Sequence, residues 1–141
     1  MVYIDTSVLV AYYCPEPLSE KAEALVTAHI CPAISTLTEV EFYSAISKKI
    51  RMQEMDRSDG SKIIAKFLAH INDHFYTKLL IKSHHYILAR DWIGQFNTSL
   101  RTLDAIHLAI TSTEGLTIIT ADETLSKSAK IFGVDFTQVN S

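Results

Sequence analysis

The sequence predicts an α/β chain: a three-layer α/β/α sandwich on a central parallel sheet. Short β-branched runs such as Val2-Tyr3-Ile4 and Thr117-Ile118-Ile119-Thr120 alternate with longer stretches of helical periodicity. Strands separated by helices pair in parallel through crossovers, and helices then cover both faces of the sheet. Two of these strands, at opposite ends of the chain, deliver an acid at their exit: Asp5 and Asp122. Parallel strands bring their C-termini to one edge, where open α/β sheets bind ligands.

The elements follow in order. After the strand Val2–Ile4 comes a short helix, closed by the turn Pro15-Glu16-Pro17, since proline biases the residue before it away from α. A helix from Leu18 to Ala28 carries Leu18, Ala22, Leu25 and Val26 on one stripe. Pro32 to Ser35 is a short strand, and a helix from Thr36 to Arg51 is expected to bury Val40, Tyr43, Ile46 and Ile50. Gln53 to Gly60 is polar, with Asp59-Gly60 as a turn signal. It is expected to link to a helix over Ser61–Phe75 that buries Ile64, Phe67, Leu68 and Ile71. Tyr76–Ile81 is expected as a strand and Ser83–Phe96 as a helix broken at Asn97-Thr98-Ser99. Leu103, Ile106, His107 and Ile110 mark the next helix. A strand over Thr117–Thr120, a helix over Glu123–Phe132 and a strand over Val134–Thr137 close the chain.

A chain of 141 residues, 48% apolar and 21% charged, fits one globular domain, 1–141, with a sizeable core. No apolar run approaches the roughly 20 residues that span a bilayer, and Asp5 interrupts the N-terminal stretch that would otherwise resemble a leader. A cytoplasmic chain with no membrane partner is expected. Cys14 and Cys31 stand in no metal-finger spacing and read as free thiols. The net charge of −3 argues against a strongly basic, nonspecific nucleic-acid binder. If four of the 16 acids are reserved for a cation, however, 13 positive side chains face only 12 acids, so a nucleic-acid substrate stays open.

Four acids, Asp5, Glu41, Asp104 and Asp122, fall at or within the first turns of predicted helices. Each alone reads as a cap or a dipole partner. Thr38 with Glu41, and Thr36 with Glu39, have the spacing of capping boxes. Jointly, the four are expected to converge on one sheet edge. Clustered carboxylates raise one another's pKa and need a cation, and oxygen-only ligation selects a hard ion such as Mg²⁺ or Mn²⁺. Thr6 and Thr120 add hydroxyls beside the cluster. Arg101, Lys48, Lys49 and Arg51, with Lys127 and Lys130 as weaker candidates, are expected to meet a phosphate backbone or to be solvated surface.

Ile4-Asp5-Thr6-Ser7-Val8-Leu9, Ser35-Thr36-Leu37-Thr38-Glu39-Val40-Glu41, Leu103-Asp104-Ala105-Ile106-His107-Leu108-Ala109 and Ile119-Thr120-Ala121-Asp122 together resemble the successive motifs of PIN-domain ribonucleases. The resemblance spans nearly the whole chain and is nearest to the VapC-type toxins of toxin–antitoxin pairs. It implies a Mg²⁺ or Mn²⁺ site at Asp5, Glu41, Asp104 and Asp122, with Glu39 as the competing acid about 160° around the helix from Glu41. It also implies metal-assisted hydrolysis of RNA phosphodiester bonds, a homodimer, and a cognate antitoxin lying over the acidic cleft.

Other signals read more plainly. His70 and His74 lack the H-E-x-x-H zinc pattern, and His84-His85 reads as a helix start near the surface. His107 reads as a hydrogen-bonded core histidine, and Tyr12, Tyr13, Phe42 and Tyr43 as core or interface aromatics. Two other functions compete. A phosphatase working through an aspartyl phosphate on Asp5 lacks its D-x-D-x-T arrangement, because residue 7 is Ser. A non-catalytic module using the cleft for RNA or protein is disfavoured by the presence of all four acids.

Overall fold

The computed structural model describes residues 1–140. Its elements are β1 (Val2–Ile4), α1 (Thr6–Tyr13), α2 (Ser19–Thr27), β2 (Ala33–Ser35), α3 (Thr36–Arg51) and α4 (Arg57–Asn72). They continue with β3 (Thr77–Leu79), α5 (Ser83–Ile93), α6 (Thr102–Thr113), β4 (Thr117–Thr120), α7 (Glu123–Ile131) and β5 (Phe136–Gln138). The strands form one fully parallel sheet in the order β3-β2-β1-β4-β5.

Strand alternation sorts the core into two slabs. Val2 and Ile4 of β1, Ile34 of β2 and Ile119 of β4 pack with Val8, Ala22, Phe42 and Phe67 from α1–α4. Tyr3, Ala33 and Ile118 point the other way, toward Ala89, Leu108, Leu125 and Ala129 from α5–α7. The period-2 pleat therefore puts α1–α4 on one face and α5–α7 on the other, the predicted three layers.

The order reverses at β1. The chain steps outward from β1 to β2 to β3, then returns to place β4 on the other side of β1. The connections leaving β1 and β4 thus diverge to opposite faces, since α1 belongs to the first slab and α7 to the second. A crevice opens between them at the C-terminal edge, the usual ligand position in such sheets. Pairing of Ile4 with Ile119 places Asp5 beside Thr120, and the Asp5 N–H extends the ladder by donating to the Ile119 carbonyl at 2.9 Å.

Three expectations are corrected. The buried stripe of α3 is Thr38, Phe42 and Ile46, whereas Val40 and Tyr43 face outward. The 3–4 spacing admitted both stripes, and the aromatic contacts of Phe42 with Phe67 and Tyr13 selected the first. Second, α4 begins at Arg57, so Asp59-Gly60 lies inside a helix and forms no turn. Asp56 caps it by accepting the Asp59 N–H at 2.8 Å, and Gly60 is buried at the crossing with α3. A Cβ at Gly60 would stand 2.6 Å from Ile50 Cδ1, so the residue is there for close approach. Leu68, third, is exposed at 38% and lies off the core stripe. Cys14 and Cys31 are free thiols, and no helix among the described residues is long and apolar enough to cross a membrane.

Candidate active site

Asp5 occupies the N-cap position of α1 but caps nothing through its side chain. Its Oδ2 instead accepts from the Ser7 hydroxyl at 2.6 Å and from the Thr120 hydroxyl at 2.8 Å. Only 7% of its surface is exposed. The cap reading of this acid therefore fails. A largely buried carboxylate is held by hydroxyls from its own helix and from the neighbouring strand.

Glu41 is also released from capping. The α3 N-terminus is closed by Ser35 and Thr38: the Ser35 hydroxyl accepts the Thr38 N–H, and the Thr38 hydroxyl accepts the Ser35 N–H at 3.1 Å. Neither predicted box involving an acid forms. Glu41 Oε1 accepts from the Thr6 hydroxyl at 2.7 Å and from His107 Nε2. Burial pushes the Glu41 carboxyl up, but the His107 bond and charge, with the Thr6 bond, bring it below the usual carboxylate range. Burial pushes His107 down, and the bond to Glu41 and the surrounding carboxylates lift it above its ordinary value. The pair thus favours its charged forms.

Asp104 lies in the first turn of α6 without a cap partner on its N-cap residue, Arg101. Burial first, then the charges of Asp122 and Asp5, hold its carboxyl above the usual range, against the pull of His107 and Arg101. Asp122 is a true cap. Its Oδ1 accepts from the Thr124 and Leu125 N–H groups at 2.8 and 3.3 Å, and its own N–H donates to the Thr120 hydroxyl at 3.0 Å.

Glu41, Asp104 and Asp122 line one cleft of about 550 Å³ with Arg101, Thr102, Leu103, Leu100 and Ile93. Acidic and apolar side chains share its lining with Arg101. Among the described residues, no donor bonds Asp5 Oδ1, Glu41 Oε2 or Asp122 Oδ2. Three carboxylates are thus each anchored by one oxygen and free at the other. That donor chemistry fits a hard divalent cation, as does the raised carboxyl of Asp104. No three of the four acids bring ligand oxygens within 4.8 Å of one another, so three of them could bind one ion directly only after side-chain adjustment, the remaining positions being left to the waters that Mg²⁺ keeps.

The one trio of potential ligands that does lie so close among the described residues is His84, His85 and Glu114. It is a poor metal site. His85 Nδ1 accepts the Lys82 N–H at 2.9 Å, so the ring carries its proton on Nε2, the atom that would have to bind the ion. The buried His85 Nε2 has only a long contact with Glu114, 3.6 Å. This pair starts a helix, as expected, though His85 is 1% exposed and not at the surface.

The remaining candidates divide. Arg101 joins the cleft wall, and Thr6 and Thr120 bond site carboxylates. Lys48 and Lys49 lie seven and eight residues beyond Glu41, roughly 10–12 Å along the helix axis, and do not line the cleft. Lys49 pairs with Glu16 at 2.9 Å. Glu39 leaves the cleft to pair with Lys78 at 2.9 Å, at an angle poor for a hydrogen bond. Sequence reasoning missed Ser7 and Tyr3, and it left His107 in the core without a task. The available signal for His107 was its i+3 spacing from Asp104 on one helix face.

The sequence model of the PIN domain matches residues 2–131. The chain belongs to the PIN domain family. No curated protein matches it significantly in sequence. Solved structures share its fold at low identity. FitAcB from Neisseria gonorrhoeae superposes with a TM-score of 0.73 at 16% identity, over 98% of this chain and 97% of that one. VapC20 from Mycobacterium tuberculosis, described as a sarcin–ricin loop cleaving toxin, gives 0.71 at 14% identity over 91% and 95%. A toxin–antitoxin complex from Klebsiella pneumoniae gives 0.64 at 17% identity over 86% and 87%.

Proposed function

We propose that this PIN domain is a Mg²⁺- or Mn²⁺-dependent endoribonuclease, the toxin of a toxin–antitoxin pair. The observation that carries the reading is the cleft at the reversal of strand order. Glu41 and Asp122 line it and the largely buried Asp5 adjoins it through Thr120, each tied by one oxygen with no donor on the other, and Asp104 carries the electrostatic strain of its neighbours. These four acids would hold the cation, which when bound supplies Lewis acidity toward a phosphodiester and toward water. Thr6, Ser7 and Thr120 hold the Asp5 and Glu41 carboxylates in place by donating to them. Arg101, at the exposed lip of the cleft, offers a fork of donors to a phosphate.

The 2′-hydroxyl is not needed as a nucleophile in this chemistry, so preference for RNA rests on binding contacts. The fold shared with VapC20 and with the Klebsiella complex supports an RNA substrate and an antitoxin partner. The homodimer rests on the family resemblance, and the cytoplasmic setting on the sequence's lack of a long apolar run. The test is RNA cleavage by pure protein, titrated with each ion, in wild type and Asp5→Asn. Cleavage that depends on the ion and vanishes in Asp5→Asn supports the proposal. Cleavage persisting in that variant, or absent with both ions from folded wild type, overturns it. A folded chain whose thermal midpoint moves with neither ion would favour the binding-module alternative.

A further inference from the structure

We infer that Tyr3 and His107 form a buried positioning relay that clamps Glu41 by Oε1 and so leaves Oε2 directed to the cation. The inference rests on the proposed metal site but concerns residues that the metal would not touch. Both groups are fully enclosed, Tyr3 at 0% and His107 at 1% exposure. Tyr3 belongs to β1 and His107 to α6, and Glu41 lies on α3, so one chain of hydrogen bonds ties the sheet to a helix from each layer.

The direction of the chain depends on the charge of His107, and both arrangements leave a proton on Nε2. The Ser35 hydroxyl already accepts the Thr38 N–H, and the Thr38 hydroxyl accepts the Ser35 N–H, because the two form the α3 capping box. Their protons are therefore available to the Tyr3 oxygen, at 2.8 Å from Ser35 and 3.3 Å from Thr38. Toward a neutral ring the phenol then points its own proton at His107 Nδ1, 2.6 Å away, whereas a charged ring donates from Nδ1 to the phenol oxygen and the phenol proton turns to Ser35 or Thr38. A neutral ring that accepts at Nδ1 carries its proton on Nε2, facing Glu41 Oε1. A charged ring presents the same Nε2 proton, so the clamp on Glu41 exists in either form.

Thr6 donates to the same oxygen at 2.7 Å. Two donors from different helices on one oxygen fix the rotation of the carboxylate as well as its position. A glutamate has enough rotatable bonds to leave a site, and a metal site gains affinity when its ligand is held before the ion arrives. The helix-start hydroxyls of α3 thereby join, through Tyr3 and His107, the network that holds a residue further along the same helix.

The experiment has two readouts. In metal-free ¹⁵N-labelled protein, the His107 Nε2 proton is expected far downfield and slow to exchange, and Glu41→Gln should move it upfield. By calorimetry with Mn²⁺, His107→Leu should weaken binding about 10–100-fold, the usual consequence of losing an outer partner of a ligand. His107→Gln, which keeps a donor near Nε2, should recover most of that loss, and Tyr3→Phe should fall between it and wild type. A His107→Leu chain that folds and binds Mn²⁺ as wild type does would overturn the relay. So would an Nε2 resonance indifferent to Glu41→Gln. If His107→Leu does not fold, the resonance and the Gln and Phe variants decide. Wild type that binds no Mn²⁺ removes the nuclease reading, while the resonance still reads the His107–Glu41 bond.

Discussion

The Thr120 hydroxyl joins the two acids that first drew attention in the sequence: it donates to Asp5 Oδ2 at 2.8 Å and accepts the Asp122 N–H at 3.0 Å. One hydroxyl at the exit of β4 thus orients the ligand from β1 and the start of α7. Thr120→Val keeps the shape and removes both bonds. The expected result is a roughly 10–100-fold loss of ion-dependent RNA cleavage, as for other groups that orient metal ligands. The orphaned N–H should cost about 1–3 kcal/mol of stability. Thr120→Ser should restore both. Wild-type cleavage by Thr120→Val would reduce this residue to strand propensity.

Asp104 makes a prediction about pH. Its carboxyl is raised in the fold by burial and by Asp122 and Asp5, so the folded chain holds that proton more tightly than the unfolded chain. Stability is then lost as pH rises through the ordinary aspartate range toward the raised folded value, and the penalty persists at neutral pH. In metal-free protein, Asp104→Asn should raise the thermal midpoint at neutral pH. The gain should shrink as pH falls from the raised folded value toward the ordinary aspartate range and be absent below it, and cleavage should be lost throughout. A variant that melts below wild type at neutral pH would contradict the repulsion.

The layers and the sheet edge were legible because strand composition and helical spacing are local signals, and four acids keep their order along the chain. Side-chain partners were less so. Asp5 has the sequence position of a cap, and only the β1–β4 register shows that Thr120 competes for its oxygen. Glu41 looked like a box partner of Thr38 until Ser35, one residue before the predicted helix, took that role. The outward turn of Val40 and Tyr43 was hidden for a similar reason, since two overlapping apolar stripes on α3 are distinguished only by what α4 brings against them. Lys48 and Lys49 follow Glu41 in sequence, yet the helix rise carries them away from the cleft.

Gly60 predicts a coupling in the helix crossing. Alanine there gains about 1 kcal/mol of helix propensity but sets its Cβ 2.6 Å from Ile50 Cδ1 and 3.3 Å from Ile46 Cγ2. Ile50 is half-buried and can be shortened, whereas Ile46 is fully enclosed. Gly60→Ala should therefore be more favourable in an Ile50→Ala background than alone, with a coupling of about 0.5–3 kcal/mol in denaturant unfolding. Strict additivity would mean that the two helices do not meet as described.

Asp122 separates capping from chemistry within one side chain. Its Oδ1 serves the α7 N–H groups, and its Oδ2 is left to the cleft. Asparagine caps about as well as aspartate, so Asp122→Asn should melt within a few tenths of a kcal/mol of wild type, and Asp122→Ala should lose about 0.5–2 kcal/mol. Both should lose ion-dependent cleavage, because neither offers the second, charged oxygen. The informative variant is the asparagine. If it cleaves RNA at the wild-type rate, Asp122 is a helix cap that borders the cleft, and the cation has to be held by Asp5, Glu41 and Asp104 alone. If it folds normally and is inactive, the cap cannot be the reason, and the free oxygen is the part of Asp122 that the reaction needs.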